Sequence, residues 1–402
     1  MCYARAVPRF EPFPGLRYDP AIPLDEVIAP PYDVVTPSER AMLAARSSAN
    51  AIHVELPEPD PDLGLDRYAN ARRIFDGWLR QGVVRREEGP AFYAYRMVPP
   101  AAPPTIGVIG ALACEEPGGD ILPHEQTIPK DASDRLDLLR ACQANLSPIW
   151  GLSLTDGLTT LFEPDTAPHA QATDDQGTHH QLWVVDDRPT IEAITKAVGA
   201  NPVVIADGHH RYETALAYRA ERRAARGGSG GDYDLVMALV VELSEDQLRV
   251  GPIHRTVHGV APGTDLPTAM SRWFELERLG PYDRGVVASL SAAQERALVT
   301  AAGVWRLTPR PEALEAAGSD LDASVVALAV DALSGAVTRH HHGWEEAVAG
   351  VESGTADAAI LVRPVTVDQI GHWARARRRM PPKSTYFTPK PRTGMVYRMV
   401  RD

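Results

Sequence analysis

The spacing of apolar and polar positions is most informative at 201–219. There Val203, Val204 and Ile205 form a β-branched run suited to a buried strand, Gly208 permits a turn, and Tyr212, Ala215, Leu216 and Arg219 recur at helical spacing. The pattern predicts a strand, a tight turn and a helix. Further upstream, Thr36 as N-cap, Pro37 in the first helical position and Glu39 in the first turn predict a helix with Met42 and Leu43 on its apolar face. The alternation over 51–56 predicts a half-buried strand, with His53 and Glu55 together on a solvated polar face. Tyr68, Ala71, Ile74, Phe75, Trp78 and Leu79 predict an amphipathic helix stopped at Gly82.

Strands are predicted at 91–98 and 105–113, and the proline-rich stretch 99–104 between them is either a domain boundary or a long hairpin tip. Leu136, Leu139 and Cys142 form a helical stripe, 181–186 a strand, 190–200 a helix, and 234–243, the most apolar run, a central strand. The glycine run that closes 224–231 follows a helix and lacks the lysine and hydroxyl of a phosphate loop, so it reads as a linker. Past residue 260, a helix at 321–333, a strand at 358–364 and a basic helix at 367–378 are expected. His254 and Arg255 are expected at a turn. The adjacent histidines His340, His341 and His342 cannot all point one way, so they too are expected at a solvated turn.

Length and composition narrow the class. A chain of 402 residues exceeds what one core supports, so three lobes are drawn at 1–104, 105–260 and 261–402, of mixed α/β (α+β) class without internal repeats. A formal charge of −12 argues against general nucleic-acid binding. Cys2, Cys114 and Cys142 give neither a disulfide framework nor a zinc site and suit a reducing cytoplasm. The first residues lack a signal peptide's apolar core and no apolar stretch reaches spanning length, so a cytoplasmic protein with no membrane partner is expected, self-association being left open.

The candidate chemistry concentrates at the turn after the 203–207 run. Asp207, His209, His210 and Arg211 fall at a strand end and a helix's first turn, where unpaired N–H groups favour an anion such as phosphate. An aspartate belongs beside phosphate if Mg²⁺ bridges the two; otherwise it is simply an N-cap. His124 and Glu125 sit in a proline-bracketed loop where a carboxylate is readily poised for proton transfer, and Lys130 is a salt partner or phosphate ligand. Lys383, Ser384 and Thr385 set an ammonium beside two hydroxyls, and His254 with Arg255 would enlarge an anion site.

The run Gly208-His-His-Arg-Tyr-Glu-Thr-Ala215 resembles the signature of the ParB/sulfiredoxin superfamily, and Asp-Gly-His-His-Arg at 207–211 is similar to that of its free-serine kinases. Other motifs resemble domain-of-unknown-function family ten-fifteen along nearly the whole chain. They are Pro-Pro-Tyr-Asp at 30–33, His-Glu-x-Thr at 124–127, Asp-Arg-Leu at 134–136, Asn-Leu-Ser-Pro at 145–148, Pro-x-His-Arg at 252–255 and the closing Met-Pro-x-Lys-Ser-Thr-Tyr-Phe-x-Pro-Lys at 380–390.

These resemblances imply a ParB/sulfiredoxin-like core with flanking lobes, and phosphoryl transfer from ATP, ADP or pyrophosphate to a small hydroxyl metabolite, free L-serine first. Glu125 would be the base, Asp207 the Mg²⁺ ligand, and His209 and His210 catalytic partners. Gly208, Arg211, Lys130, Arg255, Lys383, Ser384 and Thr385 would hold phosphates, with Tyr32, Asp33, His124 and His254 on the substrate side. Two alternatives stay open: a nucleotide-hydrolysing switch of the ParB kind, and a metal-dependent hydrolase built on the i, i+4 pair His209 and Glu213.

Overall fold

The 234–243 run becomes the middle of a mixed 9-stranded sheet. In chain order its strands are β1 (Phe10–Glu11), β2 (Phe92–Val98), β3 (Thr105–Ala113), β4 (Ile121–Pro123), β5 (Ile149–Ser153), β6 (Ala170–Thr173), β7 (His179–Val185), β8 (Val203–Asp207) and β9 (Leu235–Glu242). They lie in the order β4-β8-β5-β9-β3-β2-β7-β6, with β1 beside β3. The computed structural model describes residues 8–116, 118–125 and 133–401. It divides the chain into two compact units, one of 1–248 with 389–402 and one of 249–388. The fold is mixed α/β, as the periodicities require.

The division differs from the three lobes read from the sequence. Residues 99–104 are a hairpin tip, because β2 and β3 pair antiparallel across them with Tyr93 opposite Ile109 and Met97 opposite Thr105. The last residues rejoin the first unit, where Arg398 and Met399 pair with Asn145 and Ala144. Burial of β9 on both faces explains its continuous apolar run: all seven residues from Leu235 to Val241 are buried.

Helices α1 (Pro37–Arg46), α2 (Ile52–Glu55), α3 (Arg67–Gln81), α4 (Ser133–Cys142), α5 (Arg188–Gly199) and α6 (His209–Ala225) belong to the first unit. Thr36 and Glu39 form the reciprocal capping box that starts α1, and Leu43 is buried, but Met42 is 50% exposed and contributes nothing to the core. Asp66 caps α3 and Gly82, in the left-handed region, ends it.

The expected strand over 51–56 is instead the short helix α2. Asn50 donates to the Glu26 carbonyl at 2.8 Å and accepts from the Ile52 N–H at 2.9 Å, and this local bond turns the chain helically where alternation alone suggested extension. Glu55 is consequently buried at 2% exposure, not on a solvated face.

Six strands of the second unit form its main sheet, including β10 (His254–His258), β11 (Val337–His341) and β12 (Ala358–Leu361), with β10 between the other two. Here two expected turns prove to be strands. Arg255 lies opposite His340 and His254 opposite His341, so cross-strand pairing places His340 and His341 on a strand rather than a turn, while His340 and His342 remain exposed as expected. The 321–333 and 367–378 segments form the helices Asp322–Asp331 and Val367–Arg375. Among the described residues, no helix is long and apolar enough to cross a membrane.

Candidate functional site

Parallel pairing of β4 with β8, Val203 beside Ile121 and Ile205 beside Pro123, brings two distant segments to one edge of the sheet. Parallel neighbours end together, so His124 and Glu125 leave β4 where Asp207 leaves β8. The His124 ring stacks obliquely on His209, centroids 5.0 Å apart, and its Nδ1 donates to the Ile205 carbonyl at 2.6 Å. That bond fixes the tautomer, since a carbonyl can only accept. Burial, with the nearby His209 charge, lowers His124 to about 3, so the ring is neutral and its Nε2, 3.5 Å from Glu125 Oε2, is an acceptor.

Gly208 makes the turn from β8 into α6 with φ of +87°, and an added Cβ would stand 3.1 Å from Arg211 Nε and from Ile149 Cγ2. Replacing Gly208 by alanine is expected to cost about 1–3 kcal/mol through the left-handed backbone and this crowding. A shift of the urea unfolding midpoint would measure it. Gly208 is itself the N-cap of α6, and among the described residues no side chain caps the helix. Asp207 is therefore not acting as a cap, and the helix end keeps the partial positive charge that favours an anion.

Asp207 instead gathers cations. Arg211 NH2 reaches its Oδ2 at 2.9 Å and Lys390 Nζ its Oδ1 at 2.8 Å. Burial alone would raise this carboxyl, but the Lys390 ammonium and Arg211 guanidinium outweigh it and hold Asp207 below the usual carboxylate range. Lys390 closes the motif at 380–390 yet was not singled out from the sequence. The missing signal is tertiary: only the return of 389–402 to the first unit delivers it.

Arg211 is also tied to the start of β5. Its NH1 donates to the Pro148 carbonyl and to Ser147 Oγ at 3.3 Å. The guanidinium is only 11% exposed, so it is less an open phosphate clamp than a joint between strand ends. Around it lie Tyr32, Asp33 and Glu55, all close enough to act on its charge. Arg135 stacks its guanidinium 4.4 Å above the Tyr32 ring and donates to the Glu55 carbonyl at 2.8 Å.

Tyr32, Asp33, His124, Glu125, Asp207, Gly208, His209 and Arg211 thus belong to one neighbourhood, to which the structure adds Glu55, Arg135, Ser147 and Lys390. His210 turns away and pairs with Glu213, Nδ1 to Oε2 at 3.2 Å. Lys130 lies outside the described residues.

The remaining predicted residues sit in the second unit. Arg255 is buried in β10 and donates to the Ile253 and Lys383 carbonyls, the latter at 2.8 Å. Ser384 donates to the Pro381 carbonyl at 2.6 Å. Lys383, at φ +57°, brings positive charge to the same cluster; partial burial, with the Arg255 and Lys383 charges, lowers the neighbouring His340 to about 4, so that ring is neutral, and Thr385 follows in the loop before Tyr386–Thr388. His254 is a buried structural histidine: its Nδ1 accepts from the Val362 N–H at 3.2 Å, and burial lowers its pKa to about 4.

The expectation of a standing Mg²⁺ ligand at Asp207 is revised. Both its oxygens are engaged by cations, and among the described residues no group of three His, Cys, Asp or Glu could hold a metal. The turn does not fit a resident ion, and the pairing of Glu213 with His210 gives the metal-hydrolase alternative no ligand set.

Residues 10–330 match the family described as Protein of unknown function (DUF1015). No curated protein matches the chain. Among solved structures, a mutant free serine kinase in complex with AMP aligns at 12% identity and a TM-score of 0.37, covering 67% of this chain and 84% of that one. SbnI with a C-terminal truncation, from Staphylococcus aureus, aligns at 11% identity and 0.38, covering 71% and 85%. A conserved hypothetical protein from Pyrococcus furiosus aligns at 12% and 0.35, covering 67% and 87%.

Proposed function

The chain belongs to the DUF1015 family, and for this member we propose a phosphotransferase that moves a phosphoryl group from a nucleotide or pyrophosphate to a small hydroxyl metabolite, L-serine first among the candidates. One observation carries the reading: strand pairing sets the His124–Glu125 pair beside an uncapped helix N-terminus whose aspartate holds Lys390 and Arg211. Phosphoryl transfer asks a protein mainly for positioning and charge neutralisation, and this edge of the sheet offers both.

In this reading the first N–H groups of α6, with Lys390 and His209, receive the donor's terminal phosphate. The acceptor oxygen attacks phosphorus as the bond to the leaving phosphate breaks, and Glu125 takes the hydroxyl proton. The lone pair of His124 Nε2 then accepts a hydrogen bond from the protonated Glu125. Mg²⁺ would enter, if at all, with the donor's phosphates, and no step here depends on it. Within the second unit taken by itself, Arg255 and Lys383, with Ser384 and Thr385 beside them, are proposed phosphate-binding residues.

A donor screen with ATP, ADP and pyrophosphate, followed by phosphoserine detection, tests the reading. Glu125→Gln is expected to lower the transfer rate by roughly 10²-fold or more with little change in donor affinity. Donor consumption that is unchanged in Glu125→Gln and indifferent to serine would favour the nucleotide-hydrolysing alternative.

A further inference from the structure

The first unit contains a cavity of about 60 Å³ beside Arg211, with Glu55, Arg211 and Thr214 facing an apolar wall that includes Leu138, Leu146 and Val236. At roughly 10–15 Å³ for one water, it has room for about four to six non-hydrogen atoms. Of the six polar residues in its lining, which also include Arg135, Asn145 and Ser147, two carry a buried side-chain atom without a partner among the described residues. Arg211 Nε and Thr214 Oγ1 are buried with no hydrogen-bond partner among the described residues, and Thr214 is only 4% exposed. The buried Glu55 carboxylate accepts one bond among the described residues, from Ser147 Oγ to Oε1 at 3.0 Å. Buried polar atoms are rarely left so, and two around one void, beside a carboxylate with a single partner among the described residues, call for an occupant.

Their chemistry defines it. The Arg211 Nε–H can only donate and asks for an anionic oxygen; the carboxylate of Glu55 can only accept and asks for a cationic N–H; Thr214 can do either. The leucine and valine side chains suit a short carbon frame between the two. We propose that this cavity binds a small zwitterion of α-amino-acid size, its ammonium on Glu55 and its carboxylate on Arg211 Nε and Thr214.

Burial raises the Glu55 carboxyl despite the opposing Arg135 and Arg211 charges, and a bound ammonium would oppose that rise. Arg211 also connects the cavity to the proposed phosphate turn, since its NH2 holds Asp207. Use of the zwitterion as phosphoryl acceptor rests on the transfer proposed above; its binding here does not.

Calorimetric titration of the full-length protein without nucleotide tests the site with glycine, L-alanine and L-serine, against glycolate, which lacks the amine, and ethanolamine, which lacks the carboxylate. At least one zwitterion is expected to bind, with glycolate and ethanolamine weaker by about tenfold or more. Glu55→Gln should weaken that zwitterion by about tenfold or more, and the near-isosteric Thr214→Val, which removes only a hydroxyl, by several-fold. Absence of binding by all three zwitterions overturns the proposal, as does equal binding of glycolate or ethanolamine, or wild-type affinity in both variants. Zwitterion binding with these dependences, but no phosphoryl transfer from any donor, would leave the cavity standing and remove only the proposed reaction.

Discussion

Asp207→Asn is expected to lower kcat/KM for phosphoryl transfer by roughly 10²–10³-fold, the scale of losing a preorganised electrostatic contact in a shielded site. The amide keeps the shape of the side chain but not its charge. Lys390 Nζ, 2.8 Å from Oδ1, and Arg211 NH2, 2.9 Å from Oδ2, lose the anion that holds them. Both cations are nearly buried, so neither finds full compensation from water. A stability loss of about 1.5–3 kcal/mol should accompany the kinetic one, as for other charged hydrogen bonds. Denaturant unfolding run beside steady-state assays separates the two effects, and transfer within a few-fold of wild type would remove Asp207 from the site.

Asp174→Ala should produce the largest loss of stability, about 3–5 kcal/mol, because it strips one partner from a buried ionic network. Asp174 Oδ2 accepts from His180 Nε2 and from Arg392 Nε, each at 2.9 Å, and also from Arg392 NH2. Its Oδ1 accepts the N–H groups of Gln176 and Thr178, each at 2.9 Å. Tyr95 completes the network, its hydroxyl 2.7 Å from His180 Nδ1 and accepting the Arg392 N–H at 3.1 Å.

Burial alone would raise Asp174, but the His180 bond and the Arg392 guanidinium outweigh it and hold the carboxyl well below its ordinary range. A depressed folded pKa contributes stability that is fully present above the unfolded value, near 4. That contribution is lost as pH falls toward the lower folded value. The wild-type advantage over Asp174→Ala should therefore hold at neutral pH and shrink in acid. Arg392 lies two residues after Lys390, so hydrogen exchange over 389–402 should also quicken in the variant. Equal unfolding midpoints at pH 7 would show that the network carries no net stability.

Local chemistry made much of this arrangement legible. The β-branched run before Gly208 and the helical spacing after it specify β8, the turn and α6 without tertiary help. The Thr36–Glu39 capping box likewise starts α1 on its own. Glu55 was hidden because six alternating residues are too few to outweigh the Asn50 side-chain bond. Lys390 and Arg135 were hidden for a different reason: one depends on the final residues returning to the first unit, the other on a stack over Tyr32. His340 and His341 depend on pairing with β10, which separation in sequence conceals. Motif resemblance located the Asp207 turn, but it could not foresee that lysine and arginine already take both of its oxygens.

The most direct test follows phosphorus by ³¹P NMR in a mixture of purified protein, Mg²⁺, a phosphoryl donor and L-serine. A phosphomonoester resonance is expected to grow as the donor declines, only when the acceptor is present, and to vanish in Asp207→Asn. A folded wild-type protein that leaves every donor intact, or that releases free phosphate at one rate with or without acceptor, would contradict the proposal.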